Sequence, residues 1–167
     1  MLHPSLCISS DLTILLLHIA HQAAFDRACI LHRDTSVRNI MITPNHQGFL
    51  IDWDHCIILT DRRGEKGICR TGTWQFMSAR LLASYGTSHT LVDDKESSLW
   101  VLLYVALRYT RKSSIPTVLY DDLKSWFEDS VLRPRGDIGG RGKKSVLKNP
   151  SDLLPSTSTV SMSCCEN

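Results

Sequence analysis

The sequence lacks the features of a secreted or membrane-spanning chain. Its six cysteines form no C-x-x-C pair, and no basic segment followed by an apolar one opens the chain, so a secreted disulfide framework is not expected. The longest apolar run, residues 12–20, is interrupted by His18 and is too short to cross a bilayer. We therefore expect a reduced, intracellular protein that makes no contact with a membrane.

A strong excess of charge of one sign is also lacking. The formal net charge is only +2 in 167 residues, which gives no reason to expect nucleic acid as a partner. Apolar residues make up 43% and charged residues 22%, as in globular proteins, and this length forms one domain. The glycines after Pro134 indicate a loosening of structure, and residues 149–167, rich in Ser, Thr and Pro, are predicted to be disordered.

Three stretches have the periodicity of helices. Residues 11–29 place apolar side chains at helical spacing, which predicts a first helix. Residues 93–109 are apolar on nearly all sides and follow a capping Asp93 or Asp94, which predicts a central, buried helix. An amphipathic segment over residues 117–132 predicts a third helix.

Between the first two helices, two short apolar runs predict a β-hairpin. Residues 39–43 and 48–52 are joined by residues 44–48, whose Pro, Asn and Gly are turn chemistry. The polar bridge 30–39 is then a loop between helix and hairpin. Residues 54–75 show no periodicity and are predicted to form a long exposed loop, which in compact domains is usually functional or disordered.

The residues that carry chemistry lie around this hairpin. His32-Arg33-Asp34 is followed five residues after the Asp by Asn39, and Asp52 ends the second strand. A loop carboxylate, an amide and a strand-end carboxylate at this spacing can converge and suit phosphoryl transfer, which needs positioning and a divalent metal. Asp34 would orient or accept the proton of an attacking hydroxyl, and Asn39 and Asp52 would offer oxygen ligands to Mg²⁺. His32 is expected to be structural, and Arg33 to meet a negative group, such as a phosphate, on the following loop.

The pattern HRD-x-x-x-x-N with a later metal-binding Asp resembles the catalytic loop and DFG segment of protein kinases. Four blocks together resemble the fungal-type protein kinase family: AHQAAFDRACILHRDTSVRNIMIT, GFLIDWD, RTGTWQFMS and DDKESSLWVLLYVALRY. The resemblance covers about residues 15–145 and implies a mainly α domain with a small β-hairpin over 1–148, the C-terminal lobe of a protein kinase-like α+β fold. It implies these segments: catalytic loop 30–39, metal-binding segment 50–54, activation segment 52–80 and central helix 93–109.

The resemblance also implies roles for single residues. Asp34 would be the catalytic base, and Asn39 and Asp52 would bind the cofactors ATP and Mg²⁺. Thr73, after Gly72, would contact the catalytic loop and help present a protein substrate, so it counts with Asp34 among the catalytic residues. Asp94 would be the buried carboxylate that holds the loop backbone. The structural and regulatory positions would be His32, Arg33 and Asp94.

Two departures from the kinase pattern bear most on function. No G-x-G-x-x-G motif and no lysine precede Asp52, so we expect the ATP-gripping N-terminal lobe to be absent and the chain alone to be impaired. The surface which that lobe covers, near residues 40–52, would then expose apolar side chains to a partner protein. Arg80, in MSAR, stands where the family has a Glu that pairs with a distant Arg, so two like charges would meet there if the site is buried.

Three functions follow from this pattern. The first is an ATP-dependent protein kinase that acts on Ser or Thr. The second is a non-catalytic interaction protein that binds substrates or kinases through residues 54–80. The third is a small-molecule kinase of the same fold, against which residues 72–76 and the DDKES segment argue, because they resemble peptide-substrate machinery.

Overall fold

The computed structural model describes residues 21–45, 47–60, 70–109 and 116–150, which are about half helical and carry three small antiparallel sheets. This composition is compatible with an α+β kinase-like fold. The helices are α1 (21–28 in the described part), α2 (Ala79–Ala83), α3 (Leu91–Tyr109), α4 (Pro116–Phe127) and α5 (Arg141–Lys148). The paired strands are β1 (Ile30–Leu31) with β4 (Ile57–Ile58), β2 (Ile40–Ile42) with β3 (Gly48–Leu50), and β5 (Ser130–Val131) with β6 (Ile138–Gly139). Of the described helices, none is both long and apolar enough to cross a membrane.

The hairpin β2–β3 is present at the predicted position. Its register pairs Ile40 with Leu50 and Met41 with Phe49. Because successive side chains of a strand point to opposite faces, Met41 and Phe49 share one face of the hairpin and Ile42 lies on the other. Met41, Ile42 and Phe49 are each about half exposed (49%, 49% and 48%), so apolar side chains near residues 40–52 are exposed, as expected.

Helix α3 begins at Leu91, two residues before the predicted start. Thr90 precedes it, and the N–H and Oγ of Thr90 donate to Oδ2 of Asp93 at 2.8 and 2.7 Å. Asp93 therefore caps the helix from inside its first turn, as the acidic member of a capping box does, rather than from the position before it. Asp94 does not cap the helix.

The hydrophobic core lies where α3 meets α4, α5 and the turn before α2. On α3, Trp100 and Val101 are fully buried, whereas Val92 is 69% exposed, so the prediction that this helix is covered on nearly all sides was too broad. The aromatic rings meet edge to face, as aromatic pairs prefer. The buried core residues are Phe76, Trp100, Val101, Leu107, Trp126, Phe127 and Val146.

The prediction of a structureless loop over residues 54–75 was wrong in part. Strand β4 pairs with β1, which joins Ile30 to Ile58, and a 3₁₀ turn covers Trp74–Phe76. Strands of two residues are too short to show a periodicity, so the sequence pattern could not reveal this pairing. Residues 61–69 of that segment lie outside the described residues.

The glycine-rich segment after Pro134 is ordered, contrary to the prediction of loosened structure. It forms β6 and α5, and a Cβ on Gly139 would lie 2.0 Å from the Asp129 carbonyl oxygen, while one on Gly142 would lie 2.3 Å from that of Ser125. These glycines therefore allow two backbones to approach closely. Helix α4 ends at Phe127, short of the predicted 132, because β5 follows it.

Two other predictions fall largely outside the described range. Of the helix predicted over residues 11–29, residues 21–28 are described and are helical. The predicted disordered tail lies outside the described residues from 151 onward.

Candidate active site

The loop after β1 is held to the first turn of α3 by one carboxylate. Oδ2 of Asp94 accepts the backbone N–H of His32 at 3.0 Å, and Oδ1 accepts the N–H of Arg33 at 3.1 Å. Arg33 has a φ of 70°, in the left-handed region that non-glycine residues rarely adopt. The two hydrogen bonds to a buried carboxylate hold this unfavourable backbone in place.

Two histidines that the sequence did not single out complete the surroundings of Asp94. Nε2 of His21, on α1, lies 2.9 Å from Oδ2, and Nε2 of His89 lies 2.7 Å from Oδ1, with all three side chains buried. Burial alone raises the pKa of Asp94, but the hydrogen bonds and charges of His21 and His89 outweigh it and hold this pKa well below its usual value. Asp94 is therefore an ionised, fully engaged anchor that ties α1, the loop and α3 together.

Asp34 lies beside Thr73, although the two residues are far apart in the sequence. Oδ1 of Asp34 accepts the backbone N–H of Thr73 at 2.7 Å and its hydroxyl at 2.8 Å. The preceding Gly72 has a φ of 109°, and a Cβ there would lie 2.6 Å from the Arg33 carbonyl oxygen. Only glycine allows the chain to pass so close to the loop at this backbone angle, which places Thr73 against Asp34.

Asn39 joins the loop to the open end of the hairpin. Its side-chain Nδ2 donates to the carbonyl oxygen of Asp34 at 2.8 Å, and its own carbonyl accepts the N–H of Ile51 at 2.8 Å. Asp52 is the next residue, is exposed and has a left-handed φ of 61°. The hairpin register therefore brings Asn39 and Asp52 to the same end of the sheet, next to the backbone of Asp34.

The donor atoms at this end of the hairpin are of the kind that Mg²⁺ prefers. Because Nδ2 of Asn39 is engaged by Asp34, Oδ1 is the atom of that amide which can bind a cation, and Asp52 adds a carboxylate. Mg²⁺ usually takes only one or two protein carboxylates or similar oxygens and completes its shell with water and substrate phosphates. The described residues contain no group of three or more His, Cys, Asp or Glu arranged to hold a metal.

The side chain of His32 packs between the loop and the hairpin and contacts both. Its Nε2 lies 3.0 Å from the Ile51 carbonyl oxygen, its Nδ1 accepts the N–H of Asp34 at 3.3 Å, and its ring meets Trp53 edge to face at 4.6 Å. Burial lowers the pKa of His32, although the Ile51 carbonyl and Asp94 oppose the shift. A neutral ring that donates through Nε2 satisfies both contacts, which agrees with a structural histidine.

The guanidinium of Arg33 is buried and reaches towards the turn after the hairpin. Its Nη1 donates to the carbonyl of His55 at 3.5 Å. The negative group that the sequence suggested for Arg33 was placed on the following loop, whose residues 61–69 lie outside the described range. The phosphate partner of Arg33 therefore stays a prediction.

Arg80 meets an opposite charge on α3. Its guanidinium pairs with the carboxylate of Asp93 and also donates to the carbonyl of Ser88 at 2.9 Å. Burial raises the pKa of Asp93, but the hydrogen bonds from Arg80, Ser78 and Thr90 hold it below its usual value. The positive charge of Arg80 is thus balanced by Asp93 of α3, and its side chain is about half exposed (48%), so the burial on which the expected repulsion depended is not met.

One residue near the site was missed from the sequence altogether. The side chain of Lys143, on α5, is fully buried, and its Nζ donates to the carbonyls of Gln75 and Met77 at 2.7 and 2.6 Å. Burial lowers the pKa of Lys143 to about 7, while the charge of Glu96 raises it. Nothing in a glycine- and lysine-rich segment signals such a contact, because the partners are backbone atoms of a distant turn.

Comparison with known proteins relates this chain to a known family. The family model described as fungal protein kinase matches residues 17–106, just over half of the chain. The matched range contains the loop, the hairpin, Thr73 and most of α3. A comparison with curated proteins gave no match.

Proposed function

The chain belongs to the fungal protein kinase family, and we propose that it carries the catalytic loop of an ATP-dependent protein kinase that phosphorylates Ser or Thr hydroxyls of proteins. The observation that carries the proposal is the position of Asp34. Thr73 holds its carboxylate from one side, Asn39 holds its carbonyl from the other, and Asp52 lies at the adjoining end of the hairpin. A base held towards a hydroxyl and two oxygen donors for a divalent metal are groups that phosphoryl transfer to a hydroxyl uses.

In this proposal Asp34 is the catalytic base. Its Oδ1 is held by two hydrogen bonds from Thr73, which fix the plane of the carboxylate, and Oδ2 would orient the substrate hydroxyl and accept its proton. Thr73 begins the 3₁₀ turn 74–76, so a peptide that lies along this turn would present its hydroxyl to Asp34. The role of Thr73 is thus to position both the base and the substrate.

Asn39 and Asp52 would hold Mg²⁺ together with the phosphates of ATP. When bound, the metal neutralises the charge that the phosphoryl group carries during transfer. Asn39 is fixed by Asp34 and Ile51, so the amide is preorganised, while exposed Asp52 is open to a ligand. The described residues would thus form the C-terminal lobe of the kinase fold, which contributes the metal-binding side of the site.

A binding experiment tests these roles. With ATP, Mn²⁺ in place of Mg²⁺ should broaden the NMR signals of Asn39 and Asp52 before those of α4, and Asp52→Asn should weaken the effect at least tenfold in metal concentration. Asp121→Asn, an exposed carboxylate on α4, is the matched control and should change nothing. If the signals of all surface carboxylates broaden equally, or if Asp52→Asn leaves the broadening unchanged, the proposed metal site is contradicted.

Phosphotransfer from Mg-ATP to a mixed protein substrate is the second test. Transfer should depend on Asp34 and should fall by about 10³-fold in Asp34→Asn, because the carboxylate that orients the hydroxyl and accepts its proton is lost. Transfer that is equal in the wild-type chain and in Asp34→Asn would show that Asp34 is not the base.

The exposed apolar side of the hairpin favours a second candidate, a role in binding a partner protein. Met41 and Phe49 are paired across the two strands on this side and are each about half exposed, and a partner or a further lobe of the kinase would bury them. Genetic complementation separates the two functions. A binding function survives Asp34→Asn and is lost in Phe49→Glu, whereas a catalytic function is lost in Asp34→Asn.

A further inference from the structure

Lys143 occupies a position that lysine almost never takes. Its side chain is fully buried, although lysine is found inside proteins only where its ammonium group is paired or hydrogen-bonded. The ammonium donates to the carbonyl oxygens of Gln75 and Met77 at 2.7 and 2.6 Å. It also lies over the ring of Trp100 at 5.1 Å, which adds a favourable cation–π contact.

The two carbonyls belong to the end of the 3₁₀ turn Trp74–Phe76. The last carbonyls of a helical turn have no partner within the turn, and a cation there is favourable. The same turn starts at Thr73, whose carbonyl accepts the N–H groups of Phe76 and Met77 at 2.9 and 3.1 Å. Hydrogen bonds therefore connect Lys143, through the turn, to Thr73.

Thr73 also donates the two hydrogen bonds that hold the carboxylate of Asp34. We infer that Lys143 is a positioning residue: by holding the carbonyls of Gln75 and Met77 it fixes the turn that sets Thr73 against the Asp34 carboxylate. The catalytic meaning of this contact rests on the proposed kinase function, whereas the mechanical link does not. Lys143 lies outside the range that the family model matches.

The ammonium group, rather than the aliphatic stem, makes lysine suited to this place. An apolar side chain of similar length would fill the same volume but would leave the carbonyls of Gln75 and Met77 without this donor, which costs free energy. What an apolar side chain lacks is a donor for two backbone carbonyls. The ammonium and the neutral amine both have at least two N–H groups, so either form of Lys143 can hold them.

The test measures the position of Thr73 directly. In the full chain carrying Lys143→Met, amide hydrogen exchange of Thr73 should accelerate tenfold or more, because the turn that presents its N–H to Asp34 is no longer held. Exchange of Val101, in the core of α3, should change less than twofold. Val146→Ala is the matched control, since it weakens the packing of the same helix and leaves the two donors in place.

The variants separate positioning from general destabilisation. If Lys143→Met accelerates Thr73 and Val101 equally, or no more than Val146→Ala does, Lys143 is only a structural residue. If Lys143→Met does not fold, Lys143→Gln replaces it; a side-chain amide that cannot reach both carbonyls should give the same selective acceleration at Thr73, and unchanged Thr73 exchange overturns the inference.

Activity gives a second readout in the same variants. With Mg-ATP, kcat should fall about tenfold in Lys143→Met while KM for ATP stays within twofold, since the nucleotide groups are not touched. Should the wild-type chain transfer no phosphate, this second readout is lost, and the exchange of Thr73 alone decides the inference about Lys143.

Discussion

Asp34 and Thr73, 39 positions apart, are joined by two hydrogen bonds that end on the same carboxylate oxygen, one from the backbone N–H at 2.7 Å and one from the hydroxyl at 2.8 Å. Removing the hydroxyl should loosen the proposed base without unfolding the chain. We expect Thr73→Val to lower kcat by about 10–100-fold, because one of two fixed donors is lost, and Thr73→Ser to retain most of the activity. Steady-state kinetics with a protein substrate checks both variants.

The valine and serine variants form a matched pair. Valine has the shape of threonine, and serine keeps the hydroxyl, so the pair separates packing from hydrogen bonding. Equal kcat in the two variants would mean that the hydroxyl of Thr73 does not act on Asp34.

Asp94 should be a major determinant of stability. Asp94→Asn keeps the shape but removes the charge that accepts from the backbone of His32 and Arg33 and faces His21 and His89. Because the partners stay buried without their carboxylate, we expect a loss of about 3 kcal/mol in the free energy of unfolding. Urea unfolding at pH 7 measures it, and a loss no larger than that of the exposed Asp121→Asn would contradict the prediction.

The contribution of Asp94 to the stability of the folded chain should fall at acid pH. Its pKa in the folded chain lies below the 3.8 of an ordinary Asp, so the folded state holds the ionised form more strongly than the unfolded state does. The ionised Asp94 therefore stabilises the folded chain fully at pH values above the unfolded pKa. This stabilisation is lost as the pH falls from there through the lower folded pKa. Acid unfolding of the wild-type chain should therefore show a contribution that Asp94→Asn lacks.

Gly72 should tolerate no side chain. In Gly72→Ala the new Cβ would meet the carbonyl oxygen of Arg33 at 2.6 Å, and a φ of 109° is unfavourable for alanine. We expect a loss of about 2–4 kcal/mol in stability or a displacement of Thr73 from Asp34 that lowers kcat. Gly86→Ala is the control, because Gly86 has a positive φ of 68° but is exposed. Similar effects of the two changes would show that backbone strain alone is responsible.

Lys143 should make the stability of the chain rise with pH. Its folded pKa is about 7, below the ordinary 10.5, so between these values the unfolded chain binds more protons than the folded one. The free energy of unfolding should therefore rise by about 2 kcal/mol from pH 7 to pH 9 through this group. The Lys143→Met variant should lack that increment, and parallel pH profiles of the two chains would contradict it.

The local part of the site was accessible from the sequence. The spacing of His32, Asp34 and Asn39, and the turn residues of the hairpin, predicted a loop followed by two strands, because turn chemistry and strand alternation act over a few neighbouring residues. The same order of motifs gave the fungal protein kinase family. Helix α3 was found within two residues of its start, since its apolar pattern extends over several turns.

Other features depended on contacts between distant segments. The pairing of β1 with β4 involves only two residues on each strand, too few for a pattern, and the pairing of Arg80 with Asp93 depends on how α2 packs beside α3. The glycines after Pro134 were misinterpreted as loosened structure because a glycine gives the same sequence signal in a flexible loop and at a tight backbone contact.

The sequence by itself determined which chemical groups the site contains and in what order the loop, the hairpin and the central helix follow one another. Only the tertiary structure decided which atoms hold those groups: the histidines around Asp94, the oxygen of Asp34 that Thr73 occupies, and the backbone carbonyls that Lys143 reaches from α5. The physical reason is that such contacts join atoms brought together by packing, and backbone carbonyls are the same in every residue and leave no mark in the sequence.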